Sequence, residues 1–273
     1  LLVPSSRVGA LIEAPEIVGV TLTGSTPAGL AVAAKAGACL KKSVLELGGS
    51  DPYVIVEDAD LEKAADACAT GRLINAGQSC IAAKRLIVVE PVLERFTELL
   101  VKRIAAGRMG DPFDEATDVG PLARRDLQDE LHQQVRASVE KGARLRLGGE
   151  RPDGPGAFYP PSVLVDVHPG RPAFDEELFG PVATITPARD EEDAVRLANR
   201  TVFGLGAAVF TRDLARGERI ARRELQAGSC FVNAFVKSDP RLPFGGIKES
   251  GYGRELGVFG IRELVNVKTV YVA

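Results

Sequence analysis

Two hydrophobic rhythms alternate along most of this chain. Short unbroken apolar runs, IVGVTL (Ile17–Leu22), SVLEL, DPYVIVE and RLIVVE, have the length and β-branched content of buried strands. Between them lie stretches with apolar positions three and four residues apart: an Ala-rich segment through Leu40, DADLEKAADACATGRLI with an Asp in the capping position, and VLERFTELLVKRIA. Further on, ARLRLGG, SVLVDV, VATITP, LGAAVF and SCFVN read as strands. Helical stretches near Leu127–Glu140, Glu191–Asn199 and Leu214–Glu224 separate them. The alternation predicts α/β layers around a largely parallel sheet. The final run, NVKTVYVA, reads as a terminal strand with alternating character. With no helix after it, it is expected to pair outside its own sheet, including with another subunit. No internal repeat or low-complexity linker interrupts the pattern.

Composition narrows the classes of function. With 273 residues, 45% of them hydrophobic, the chain has material for one large domain or two modest ones. The net charge of −3 comes from interspersed acids and bases, so no basic arm or acidic tail points to nucleic acid. GLAVAAKAGACL, the most apolar long stretch, is interrupted by Lys35 and too short to span a bilayer. LLVPSSRVGA lacks the basic and apolar regions of a signal peptide. These features predict a soluble, cytoplasmic protein. Cys39, Cys68, Cys80 and Cys230 form no C-x-x-C pair, so neither a zinc site nor a disulfide framework is indicated, and no metal is expected. His132 and His168 fall in a charged helical pattern and a Pro/Gly loop, and both are expected at the surface. The chain begins with Leu1 and almost at once with element-like sequence, as a piece of a longer protein would.

Five stretches could carry chemistry. NAGQSCIAAKR places Cys80 in a small turn between a helical and a strand-like run, beside Gly77, Ala82 and Ala83. A nucleophilic thiol must be reachable and near amide donors, whereas a buried cysteine is simply a small hydrophobe; the turn admits both. In LELGGSDP, Glu46 sits in a short apolar strand ending in Gly48-Gly49. Burial there would raise its pKa toward that of a general base, whereas a strand-end turn would leave it in solvent. TLTGSTPAG runs a strand into a helix capped by Ser25 or Thr26, a place for a phosphate or an ordinary cap. FDEELFGPV offers a carboxylate and Phe179 in one loop, suited to a ribose or merely a charged surface turn. LPFGGIKESGYGREL has four glycines and a proline and describes an ordered loop.

Together and in this order, TGSTPAG, LELGGSDP, NAGQSC, EELFGPV and PFGGIKESGYGRE resemble the aldehyde dehydrogenase superfamily over essentially the whole chain. GQSCIAAKR with SDPRLPFGG is most similar to bacterial succinate-semialdehyde dehydrogenases and their near relatives. The resemblance implies oxidation of an aldehyde with NAD or NADP. Cys80 would attack the aldehyde carbon, and Glu46 would activate the water that hydrolyses the resulting thioester. It places Gly24 and Ser25 at the dinucleotide phosphates, Leu47 and Gly48 beside the nicotinamide, Glu177 and Phe179 at its ribose, and Asn233 and Ser238 on the substrate side. It implies part of a Rossmann-type dinucleotide-binding domain at 1–47, an α/β catalytic domain at 48–249, and a tail at 250–273 ending in an oligomerisation strand. Homodimers or homotetramers are then expected.

Two departures follow from the same resemblance. The family's N-terminal half, which supplies the first dinucleotide-binding strands and the determinant of NAD against NADP, is expected to lie outside these 273 residues. A truncated, non-catalytic remnant or subunit-association module of this fold is therefore the competing expectation. Ester hydrolysis, which needs Cys80 and Glu46 but no cofactor, is a further one. Some succinate-semialdehyde enzymes carry an Arg six positions before the cysteine to hold the distal carboxylate. Ile74 stands here, with Arg72 and Arg241 nearby in sequence. Ala82 leaves no vicinal cysteine for a local disulfide.

Overall fold

The computed structural model describes residues 2–273 and divides the chain into two compact units. One contains the chain up to Gly48 together with Lys237–Ala273, and the other is Gly49–Val236.

In the first unit, helix α1 (Ser5–Glu13) precedes strand β1 (Gly19–Thr23), helix α2 (Thr26–Ala38) and strand β2 (Lys42–Glu46). The Lys41 ammonium accounts for α1's end, donating to the carbonyls of Ile12 (2.6 Å) and Ala14 (2.5 Å), where cations satisfy orphan groups. Ser25 caps α2 by accepting from the Ala28 amide, with Pro27 in the first turn. β1 and β2 pair in parallel, Gly19 opposite Lys42 through Thr23 opposite Glu46. The IVGVTL run is not the buried strand its apolarity suggests: Ile17 and Val18 lie outside β1 and are exposed. β1 has β2 as its one partner in this sheet, so half its surface is uncovered.

The second unit carries strand β3 (Asp51–Ile55), helix α3 (Leu61–Leu73), strand β4 (Ala83–Val89) and helix α4 (Glu90–Ala105). Helix α5 (Arg125–Glu140), strands β5 (Arg144–Leu147) and β6 (Ser162–Val165), the single turn α6 (Pro172–Asp175) and strand β7 (Val182–Ala188) follow. Helix α7 (Glu191–Asn199), strand β8 (Gly206–Phe210), helix α8 (Leu214–Arg223) and strand β9 (Ser229–Val232) complete it. Asp60, Asp190 and Asp213 cap α3, α7 and α8 through their carboxylates. The sheet order is β5-β6-β7-β4-β3-β8-β9, parallel except for the antiparallel β5–β6 pair.

Every residue of β3 and β4 is buried, and their side chains divide by period two between two cores. Tyr53, Ile55, Leu86 and Val88 face Cys68, Phe96 and Leu100 of α3 and α4. Val54, Val56, Ile87 and Val89 face Leu131, Val135, Leu197 and Ile220 of α5, α7 and α8. Arg85 is a large polar side chain buried on β4. Its guanidinium donates to the carbonyls of Ser50 (3.0 Å), Leu197 (3.0 Å) and Ala198 (2.9 Å), and lies 5.1 Å above the Phe174 ring. It thereby caps the carbonyl end of α7, and burial lowers its pKa to about 10.

Back in the first unit, the glycine-rich stretch 243–255 is largely loop, but it contains strand β10 (Gly251–Tyr252), antiparallel to β2 with Gly251 opposite Glu46. Helix α9 (Gly257–Glu263) follows. Residues 266–273 form no strand within this chain, because no strand of their own unit pairs with them; Val267, Val270, Tyr271 and Val272 are exposed.

Replacing Arg85 with Met removes a buried donor from the carbonyls of Ser50, Leu197 and Ala198, of which that of Leu197 also accepts the Arg200 amide at 3.2 Å. Arg85→Met is expected to destabilise the chain by about 3–5 kcal/mol in urea denaturation, more than a surface Arg→Met control.

Candidate functional site

Within the Gly49–Val236 unit, three of the chemistry-bearing stretches meet at the amino-terminal edge of the parallel strands. Gly49 precedes β3, Cys80 precedes β4, and Glu177 precedes β7. Ligands of open α/β sheets usually sit at the other edge.

The Cys80 turn begins where α3 stops. Asn75 (φ 53°), Ala76 (φ 53°) and Gly77 (φ 74°) lie in succession in the left-handed region. Two non-glycine residues there are costly and persist only where surroundings over-determine them. Here Arg72, fully buried in the last turn of α3, donates Nη2 to the Gly77 carbonyl at 2.5 Å. Asn75 donates its amide to the Gln78 carbonyl (2.9 Å), and the Gln78 Oε1 accepts from the Ala123 amide (2.7 Å). Gly77 packs so closely on the EELFGPV loop that a Cβ there would lie 2.2 Å from the Gly180 carbonyl oxygen. Cys80 itself is half-buried, and among the described residues none of the four cysteines is in a disulfide.

Behind Cys80 stands Lys84, 1% exposed, whose ammonium donates to the carbonyls of Ser79 and Cys80, both at 2.9 Å. It also pairs with Glu177 at 3.3 Å. Burial lowers the Lys84 pKa, and the Glu177 charge opposes that shift. Glu177 in turn accepts the Gly49 amide at 3.0 Å, and a Cβ at Gly49 would lie 2.4 Å from the Cys80 carbonyl oxygen. Gly49, Cys80, Lys84 and Glu177 thus form one connected set. Phe179 is half-buried in the same loop as Glu177. Lys84 was not singled out from the sequence, where it stands beside Arg85 at the start of the AAKRLIVV run.

Asn233, exposed and with φ 56°, donates its carboxamide to the Thr211 carbonyl (2.8 Å) and accepts from the Thr211 amide (3.0 Å). Ile74 is 51% exposed, while Arg72 is buried beneath the turn. His132 is half-buried, not solvated, with Nδ1 3.3 Å from the Tyr159 hydroxyl; His168 is exposed.

In the first unit Glu46 ends β2 and is buried, with neither carboxylate oxygen hydrogen-bonded. Desolvation raises its pKa from 4.5 to about 7; Glu255 adds to the rise and Arg254 opposes it. The backbone beyond it is fixed by Ser250, whose carbonyl accepts the Leu47 amide (3.1 Å) and whose hydroxyl donates to the Gly48 carbonyl (2.6 Å). Gly24, between β1 and the Ser25 cap of α2, donates its amide to the Glu46 carbonyl (3.0 Å). That strand–turn–helix suits an anion such as a phosphate. Ser238 is exposed, and Arg241 pairs with Asp239 at 2.6 Å. No cluster of three or more metal-ligating side chains occurs among the described residues, and none of their helices is long and apolar enough to cross a membrane.

The order of these motifs along the chain points to one class of protein. The model of the aldehyde dehydrogenase family matches residues 2–270, and the chain belongs to that family. It is 52% identical over 264 residues to the succinate semialdehyde dehydrogenase Sad of Escherichia coli, described as NAD(P)+-dependent, covering 97% of this chain and 57% of that one. It is 48% identical over its full length to the NADP+ succinate-semialdehyde dehydrogenase 1 of Mycobacterium tuberculosis, of which it covers 60%. The crystal structure of succinic semialdehyde dehydrogenase from Streptococcus pyogenes in complex with NADP+ superposes with a TM-score of 0.96 at 38% identity, over 100% of this chain and 60% of that one. The chain therefore spans less than two thirds of these relatives.

The raised pKa of Glu46 has a consequence for stability. Folding favours its protonated form, so its contribution is complete below 4.5 and is lost as pH rises toward 7. Glu46→Gln, which stays neutral, is expected to gain on the wild type progressively across that window and to hold a constant advantage above it, as followed by thermal melts against pH.

Proposed function

We propose that this chain carries the catalytic part of an NAD(P)-dependent aldehyde dehydrogenase, with succinate semialdehyde or another short aldehyde as substrate. The observation that carries the reading is the meeting of Gly49, the Cys80 turn and the Glu177 loop in one unit, in a chain of this family. The names of its relatives favour the carboxylated aldehyde.

Cys80, as thiolate, adds to the aldehyde carbon and gives a thiohemiacetal. When bound, NAD or NADP supplies the acceptor for the hydride lost from that carbon. The thioester left on Cys80 is attacked by water whose proton passes to Glu46, and the thiol is released with the acid. A carboxylate with a pKa of about 7 suits that proton transfer at neutral pH. The residues fit the cofactor in kind: the Gly24-Ser25 turn ahead of α2 for the phosphates, Leu47 and Gly48 beside the nicotinamide, Glu177 and Phe179 for its ribose. Asn233 and Ser238 are assigned to the substrate side on the family resemblance. In domain terms, 1–47 completes the dinucleotide-binding domain, 48–249 is catalytic, and 250–273 ends in the oligomerisation strand. Residues 266–273, which expose Val267, Val270, Tyr271 and Val272, then pair across subunits in a homodimer or homotetramer. Thiols outside disulfides agree with a cytoplasmic setting.

The test is the full-length protein with succinate semialdehyde and each cofactor, following reduced nicotinamide. Cys80→Ser is expected to lose at least about a thousandfold in rate. Glu46→Gln is expected to slow turnover by about 10²–10⁴-fold while still releasing a first equivalent of reduced nicotinamide, because only hydrolysis is impaired. Full activity in Cys80→Ser would sink the assignment.

A further inference from the structure

We propose that Lys84 is a positioning residue that fixes the Cys80 turn and keeps its thiol reactive at neutral pH, with Glu177 as the counter-charge that holds the ammonium in place. The value of this for turnover rests on Cys80 being the nucleophile, but the effect on the thiol does not.

An ammonium has three protons to donate. Lys84 donates two to the carbonyls of Ser79 and Cys80, and its charge is paired with the Glu177 carboxylate at 3.3 Å. Held by these three groups and buried, the ammonium acts as a fixed charge. Its stem leaves the second position of β4, which lies between β3 and β7, so the sheet itself sets where the charge stands. Two consecutive carbonyls of the turn are drawn onto that point, which determines the path of the backbone bearing the thiol.

A cation beside a cysteine favours the thiolate, the nucleophilic form. The charged and titratable groups facing Lys84 are Glu177 from the loop before β7, Asp51 from β3, Arg72 from α3 and the Cys80 thiol. Glu177, Asp51 and Cys80 support its positive charge, and Arg72 opposes it. The ammonium that donates to the carbonyl of Cys80 stands beside the residue that bears the thiol, and an electrostatic coupling between the two runs both ways. A plug that only filled space would need neither an ammonium nor a counter-ion; methionine would fill the same volume.

The experiment follows alkylation of Cys80 by iodoacetamide, an uncharged reagent, from pH 6 to 10, with the modified peptide quantified by mass spectrometry. Lys84→Met is expected to react about tenfold more slowly than wild type at pH 7, with the gap closing by pH 10, where the thiol ionises in both. Lys84→Arg, which keeps the charge, is expected to retain most of the wild-type rate. A wild-type rate at pH 7 in Lys84→Met, or a ratio that does not change with pH, would overturn the proposal, the latter by showing that access and not charge had changed. If Lys84→Met shows no cooperative melt, the wild-type chain decides by comparison with itself in urea. The folded profile is expected to reach its half-maximum at lower pH, and an equal or higher one overturns the proposal. Dehydrogenase activity plays no part in this readout. Failure of the Cys80→Ser activity test would remove the enzymatic reading and leave the Lys84 effect standing or falling by itself.

Discussion

The carbonyl oxygen of Cys80 organises the Gly49–Val236 unit around itself. It accepts from a buried ammonium at 2.9 Å on one side, and on another it comes so near Gly49 that no Cβ fits between them. A charged donor in a dry interior is tolerated only if its protons are all received and its charge is balanced. The Ser79 carbonyl and the Glu177 carboxylate meet those two demands, and Glu177 in turn takes the Gly49 amide. One buried charge therefore ties together segments that are 49, 80 and 177 residues along the chain. The requirement reaches into the sequence as a glycine at 49, a lysine at the second position of β4 and an acid in the loop before β7.

The placement at the amino-terminal edge of the sheet has an electrostatic side. Segments entering parallel strands follow helix carboxyl ends, where unpaired carbonyls carry partial negative charge, the opposite of the helix amino-termini that favour thiolates elsewhere. Cys80 follows α3 within seven residues of its last position, Leu73. Two buried cations are set against that field. Arg72 takes the Gly77 carbonyl, and Lys84 takes those of Ser79 and Cys80. They also hold a turn with three consecutive left-handed residues, which no local preference of Asn75 or Ala76 would sustain. Geometry and charge at this turn have the same source.

Most of the strand and helix pattern was legible because β3, β4 and β7 are covered on both faces and their apolar runs are unbroken. The Asp cap of α3 was legible for the same local reason, and Asp190 and Asp213 cap α7 and α8 in the same way. Reading failed where an element depends on what lies beside it. Ile17 and Val18 are as apolar as a core strand but stand outside an edge strand, and NVKTVYVA has strand composition without a strand partner in its own chain. β10 is invisible in KESGYG because it is only two residues long. At the site, Cys80, Glu46 and Glu177 could be picked out by type and context. Lys84 could not, since a lysine near a strand start ordinarily snorkels to solvent and only the tertiary fold turns this one inward.

Glu46 and Glu177 show how one side-chain type can be given two characters. Glu177 accepts the Gly49 amide proton and faces the Lys84 ammonium. Glu46 closes a strand in apolar surroundings, neither oxygen has a donor, and Glu255 stands in the same unit to discourage its charge. A carboxyl so placed has a pKa near neutrality, which suits taking a proton from water in one step and returning it in the next at constant pH. Exchanging their surroundings would leave the reaction without a base and Lys84 without a counter-ion. The division of labour in the proposed chemistry is therefore fixed by desolvation and hydrogen-bond supply, not by the identity of the residue.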